Sequence, residues 1–216
     1  MNCNPKKTNV ILGDSTETLW GKDTITDTMC GNAVDLSPES FYQVNTIQAE
    51  RLYGAAKAFA QLTGKERLLD LYCGAGTIGL SMADAVTELV GVEIVPEAVE
   101  NAKKNAARAG VGNAKFLCGD AGSIAAQLAE QGIAPDVIVV DPPRKGCDDI
   151  AIQAMTKMQP KRIVMISCNA TTAARDCAEL GKLGYVTEQV QPVGVVPGDG
   201  TRRVRGIDVK NYAKIN

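Results

Sequence analysis

The 216-residue sequence predicts an α/β fold: a doubly wound, mainly parallel sheet with a small β-rich segment ahead of it. Three observations carry the prediction. From residue 68 onward, short apolar runs alternate with amphipathic stretches, the pattern of strands joined by crossover helices. The run Leu68-Leu-Asp-Leu-Tyr72 passes into Cys73-Gly-Ala-Gly76 and then into helical spacing from Thr77. Each strand of the series also ends in something polar, as expected where the carboxyl edge of a sheet faces a ligand.

Taken in order, residues 1–40 are rich in Thr, Asp and Gly, with β-like pieces at Asn9–Leu12 and Asp23–Met29 and a turn at Cys30-Gly31-Asn32. This segment has too little apolar material for a core of its own. It reads as the remnant of a preceding β-rich domain, and the opening at Met1 as a cut inside a longer protein. Residues 41–216 form the second domain. There Phe41-Tyr-Gln-Val-Asn45 leads into a helix capped by Asn45 or Thr46, with Val44, Ile47, Leu52, Ala56, Phe59 and Ala60 near helical spacing. Strands follow at 68–72, 88–93, 114–118, 136–140, 162–167 and 185–190, with helices at 77–85, 96–109, 122–131, 148–158 and 171–183. The helix over 96–109 is the best specified. Pro96 and Glu97 open it, Lys103, Lys104 and Arg108 lie toward its end, and Gly110 stops it.

The apolar fraction of 45% and charged fraction of 22% belong to an ordinary globular protein, so neither disorder nor a coiled coil is indicated. A formal net charge of −2 gives no global case for nucleic-acid binding, which would have to come from local basic patches. The seven cysteines are scattered, without a Cys-x-x-Cys pair, and there is no histidine. No metal site is expected from such a set, and reduced thiols in a cytoplasmic protein are the economical reading. No apolar run is long enough to cross a membrane, so no membrane partner is expected.

The chemistry sits at the strand ends. Gly74 and Gly76 form a turn where backbone approaches a ligand closely, and Glu93, one βαβ step downstream, can accept both hydroxyls of a ribose. The spacing Gly74-Ala-Gly-Thr-Ile-Gly79 also satisfies the dinucleotide fingerprint, which keeps a dehydrogenase open at this point. With Asp120 placed for the adenine amino group, these ends describe an adenosine cradle. In Asp141-Pro-Pro-Arg-Lys-Gly146, two prolines fix a carboxylate in an extended loop, and Arg144 and Lys145 suit phosphate contact. Cys168 follows one strand and precedes a helix capped near Thr171, where a helix N-terminus favours a thiolate and Arg175 is expected to approach.

On these residues the chain resembles the S-adenosylmethionine-dependent RNA (uracil-5-)-methyltransferases, which make 5-methyluridine in ribosomal and transfer RNA. The matching stretches are Phe41–Asn45, Asp70–Gly79, Glu93, Asp141–Gly146 and Ser167–Asp176, within a likeness that spans about residues 9–197. The resemblance implies a Rossmann-like class I methyltransferase domain using S-adenosyl-L-methionine on RNA, with rRNA the first expectation and tRNA the second. It assigns Gln43, Tyr72, Glu93 and Asp141 to the cofactor, with Thr77 and Asp120 at less uniform positions, and makes Cys168 the nucleophile. A thiolate adding to uracil carbon 6 would activate carbon 5 toward the methyl group, while Asp141 orients the uracil edge. A methyltransferase of an amine or small molecule, or a cofactor-binding module without turnover, are the competing readings.

The ending departs from the family's Phe-Pro-x-Thr-x-His-Val-Glu, whose glutamate is the base that removes the carbon-5 proton. Here the chain reads Val195-Val-Pro-Gly-Asp-Gly-Thr-Arg-Arg-Val-Arg-Gly-Ile-Asp-Val209, with Asp199 and Asp208 the late carboxylates. Codons for Asp199 to Gly206, read one nucleotide out of phase, can encode Thr-Gly-His-Val-Glu-Cys-Val-Val. A shifted frame after about Pro197 is the expectation this raises.

Overall fold

The computed structural model describes residues 2, 13, 16–38, 42, 43, 45–194 and 209–215, and for 209–214 the backbone alone. The expectations at Asn9–Leu12, at Asp199 and Asp208, and for a shifted frame over 199–206 fall outside the described residues.

A hairpin opens the fold: β1 (Ile25–Met29) and β2 (Asn32–Leu36) pair antiparallel about a Cys30-Gly31 turn, both residues at positive φ. Helix α1 (Thr46–Ala60) follows, its Asn45 cap accepting from the Gln48 amide. The αβ series then runs β3 (Arg67–Leu71), α2 (Thr77–Leu80), β4 (Glu88–Glu93), α3 (Pro96–Arg108), β5 (Ala114–Cys118), α4 (Ala121–Glu130), β6 (Val137–Val140), α5 (Asp149–Lys157), β7 (Arg162–Ser167) and α6 (Ala170–Lys182). β8 (Thr187–Gly194) and β9 (Val209–Ile215) close it.

The seven strands lie in the order β5-β4-β3-β6-β7-β9-β8. β3 to β7 are parallel, and β9 inserts antiparallel between β7 and β8. Successive strand residues point to opposite faces, so a fully apolar strand feeds two cores. In β6, Val137 and Val139 join the core under α1, α2 and α3, whereas Ile138 and Val140 join the one under α4, α5 and α6. The hairpin belongs to the first core, through Met29, Val34 and Leu36. The strand order reverses between β3 and β6, and folds of this kind hold ligands over the carboxyl ends of the strands at such a switch point.

β9 is not among the expected strands, and two elements of the expected αβ series depart from their predicted bounds by more than a residue. The helix predicted over 77–85 ends at Leu80 and resumes as a single 3₁₀ turn at Ala83–Ala85. Ser81 is the reason: its amide is shared between Ile78 O and Thr77 O, and its hydroxyl donates to Ile78 O at 2.6 Å, tightening the turn. The strand predicted over 185–190 begins at Thr187 and runs to Gly194. Tyr185 is spent closing α6, its amide on Leu180 O and its hydroxyl on Pro160 O.

Candidate functional site

The turn after β3 is fastened at each residue. Tyr72 takes φ +65°, and Gly74 and Gly76 are also left-handed, at +54° and +82°. The Cys73 amide bonds Val92 O at the end of β4, the Gly76 amide folds back on Cys73 O, and the Gly74 amide donates to Glu93 Oε2 at 2.9 Å. Glu93 Oε1 accepts the Val95 amide, so both carboxylate oxygens are oriented by backbone before any ligand arrives. Nothing stands within 4 Å of where a Gly74 side chain would project. The backbone there is open to an incoming group.

Behind the turn lies Asp70, fully buried in β3. Its Oδ2 accepts the Gly79 amide at 2.9 Å, and Oδ1 has no partner. Burial pushes this carboxyl up to about 8, with the negative charges of Asp141 and Glu93 adding to the rise. A Cβ on residue 79 would stand 2.8 Å from the Asp70 carboxylate, which is why glycine follows here. Thr77 Oγ1 lies 3.4 Å from the hydroxyl of Tyr53, a buried residue of α1. Burial is the first cause of that phenol's raised pKa, and Asp141 and Asp70 contribute. Tyr53 thus joins the group although the sequence reading gave it no role, and Asp70, expected only as one of the polar strand ends, lies buried within β3. An aspartate inside an apolar run was the available signal for Asp70; Tyr53 sits at ordinary core spacing and gave none.

Tyr72, partly exposed, packs in part against the core of α4, α5 and α6. Burial raises its phenol, followed by the charges of Cys147, Asp148 and Asp120. Asp120 caps α4: one oxygen accepts both the amide and the hydroxyl of Ser123, which hold its carboxyl below the usual range with some help from Lys145. It stands at the end of β5, two strands from β3. Gln43 precedes α1, and its side-chain Nε2 is buried without a partner.

The loop after β6 and the segment after β7 form one framework. Asn169 caps α6 through the Thr171 amide and reaches back with Nδ2 to Arg144 O, which also accepts the Thr172 hydroxyl. Arg175 donates to Lys145 O, Cys147 O and Asp176, while the buried Asp176 accepts the Cys147 amide. The expectation that Arg175 approaches Cys168 is therefore corrected: its guanidinium is committed to the 145–147 loop, because those carbonyls and the Asp176 carboxylate surround it. Cys168 is half-buried between Ser167 and the Asn169 cap, and Asn169 and Thr172 tie this segment to Arg144 O in the loop after β6, where the Arg144 and Lys145 side chains are exposed. The cap is Asn169, two residues before the expected Thr171.

A sequence model of the tRNA (uracil-5-)-methyltransferase family matches residues 29–191. The chain belongs to this family. An uncharacterized RNA methyltransferase of Clostridium acetobutylicum is 48% identical over 199 residues, 92% of this chain and 43% of the relative. One of Halalkalibacterium halodurans is 49% identical over 91% of this chain and 43% of its own length. The chain thus spans less than half the length of these relatives. Among solved structures, the Pyrococcus abyssi tRNA (uracil-54, C5)-methyltransferase in complex with S-adenosyl-L-homocysteine superposes with a TM-score of 0.78. It is 27% identical, over 99% of this chain and 49% of that one. The SAM-dependent methyltransferase from Agrobacterium tumefaciens, at 17% identity and a TM-score of 0.67 over 92% of this chain and 71% of that one, shares the fold.

Proposed function

We propose that this chain is the catalytic part of an S-adenosyl-L-methionine-dependent RNA methyltransferase that acts on carbon 5 of a uridine through a covalent Cys168 adduct. The observation that carries the reading is the fastening of the Cys168 segment to the Asp141 loop, beside a glycine turn already oriented by Glu93. Family membership supports the reaction class, and the Pyrococcus abyssi structure, bound to S-adenosyl-L-homocysteine, supports the cofactor.

The residues fit that cofactor. The open face over Gly74, the preset Glu93 carboxylate and the partnerless Gln43 Nε2 offer space, an acceptor and a donor to a polar ligand. Gly74 and Gly76 would carry the amino-acid portion, Glu93 the ribose, Asp120 the adenine edge, and Gln43, Tyr72, Thr77 and Asp141 would complete the enclosure. When bound, the cofactor supplies an electrophilic methyl group on a sulfonium. The chain's own part is nucleophilic catalysis. The Cys168 thiolate bonds to uracil carbon 6, which places electron density on carbon 5; after methylation the carbon-5 proton leaves to a base and the carbon–sulfur bond breaks. Asp141 holds the uracil edge, and Arg144 and Lys145 contact RNA phosphates.

Incubation with 5-fluorouridine-substituted RNA and S-adenosyl-L-methionine tests this. Fluorine cannot leave as a cation, so the adduct is trapped as a band resistant to denaturation. Wild-type protein should form it and Cys168→Ala should not; equal trapping by both proteins would overturn the nucleophile assignment. Ribosomal and transfer RNA transcripts as separate arms decide the substrate, with rRNA proposed first.

A further inference from the structure

Asn105, on the inner face of α3, is 1% exposed and makes three hydrogen bonds that none of the roles above explains. Its Oδ1 accepts the Asp35 amide at 2.8 Å; its Nδ2 donates to Asp35 O at 3.3 Å and to Ala75 O at 3.1 Å. One side chain thus grips both backbone groups of a β2 residue and the carbonyl at the centre of the Cys73–Gly76 turn. Buried amide groups are costly to leave unpaired, so loss of any one of the three bonds carries a penalty. The hairpin is secured to the same helix one turn later, where the Arg108 guanidinium brackets the Asp35 carboxylate, with Nη1 at 2.7 Å from Oδ1. Asn101 adds a bond to Ser37.

We infer that Asn105 is a positioning residue that couples the docking of the β1–β2 hairpin to the geometry of the cofactor turn, so that ligand affinity and hairpin docking rise and fall together. The inference rests on the cofactor reading given above. The turn is clamped from two sides: β4 sets Cys73 and Gly74 through Val92 and Glu93, and Asn105 sets Ala75. Only the second clamp reaches the hairpin. Loosening the hairpin should free the Ala75 carbonyl to rotate, and ordering of the turn by a ligand should tighten the hairpin in return, since coupling between two sites is reciprocal.

The test uses S-adenosyl-L-homocysteine and two readouts, calorimetric Kd and amide hydrogen exchange. In wild-type protein, ligand should slow exchange of the Asp35 amide. Asn105→Ala should raise Kd roughly 5- to 10-fold. Asn105→Asp, which keeps the acceptor for the Asp35 amide but cannot donate to Ala75, should weaken binding as well. Arg108→Ala loosens the hairpin without touching the turn and should raise Kd by a smaller factor, which a purely local role for Asn105 would not produce. Folded Asn105 variants with wild-type Kd, or Asp35 exchange indifferent to ligand, overturn the inference alone. Should Asn105→Ala fail to fold, the wild-type exchange comparison and Arg108→Ala decide. Wild-type protein that binds no ligand overturns the cofactor reading and this inference with it.

Discussion

Asp70 holds its proton far above the usual carboxylate range because β3 buries it completely and the Gly79 amide only partly offsets that burial. The sign of the resulting pH dependence follows. Between the ordinary value of 3.8 and about 8, the folded protein carries a proton that the unfolded chain has lost. The associated stability is full below the lower value and is lost progressively until pH passes the upper one, on the order of 1 kcal/mol per pH unit. With no histidine in the chain, few other side chains titrate between pH 5 and 8. Urea midpoints should therefore fall from pH 5.5 to pH 8 in the wild type, and Asp70→Asn, which keeps an acceptor for Gly79, should flatten that fall. An unchanged slope in the variant would place the titration elsewhere. Residue roles of this kind divide by legibility. Glu93, Asp141 and Cys168 stand at strand ends beside glycines, prolines or caps, and the roles proposed for them rest on type and place. Asn105 and Tyr53 occupy core positions of amphipathic helices, and only the neighbours that folding brings to them make them more than filler.

Among the elements, α6 does more than cover the sheet. Its first turn grips the Arg144 carbonyl through Asn169 and Thr172, and one turn later Arg175 grips those of Lys145 and Cys147. Loss of a cap of this type costs about 1 kcal/mol. Asn169→Ala is expected to lower stability by about that amount and also to slow trapping on 5-fluorouridine RNA, because the same side chain aligns the Asp141 loop with Cys168. A stability loss with unaltered trapping kinetics would reduce Asn169 to a helix cap. Helix α3 was legible because Pro96 marks its start, and the other helices from apolar spacing, whereas the caps Asp120, Asp148 and Asn169 emerge only from the structure. Less legible were the ends fixed by back-bonding, such as the break at Ser81 and the closure at Tyr185, where a hydroxyl or an aromatic in suitable register gives no periodic signal.

At the scale of the molecule, the parallel part of the sheet followed from alternation of strands and helices, whereas the placement of β9 did not. A strand paired on both sides by distant partners leaves no local mark, and Val209-Lys-Asn-Tyr-Ala-Lys-Ile215 lacks the apolar run that announces β6. Yet β9 pairs with β7 from Ile163 to Ser167 and with β8 from Thr187 to Gly194. Ala213 lies opposite both Met165 and Val190. Proline removes a ladder donor and is poorly tolerated in an interior strand. Ala213→Pro should cost roughly 1–3 kcal/mol, seen as a lower midpoint in urea or as loss of soluble protein; an unaltered midpoint would contradict the interior position of β9.

That position constrains how the molecule is made. During translation, α6 and β8 emerge before the strand that must lie between β8 and β7. The nascent polypeptide therefore carries unzipped edges on β7 and β8 until β9 is threaded into the gap, and this sheet can be closed only after synthesis has passed residue 215.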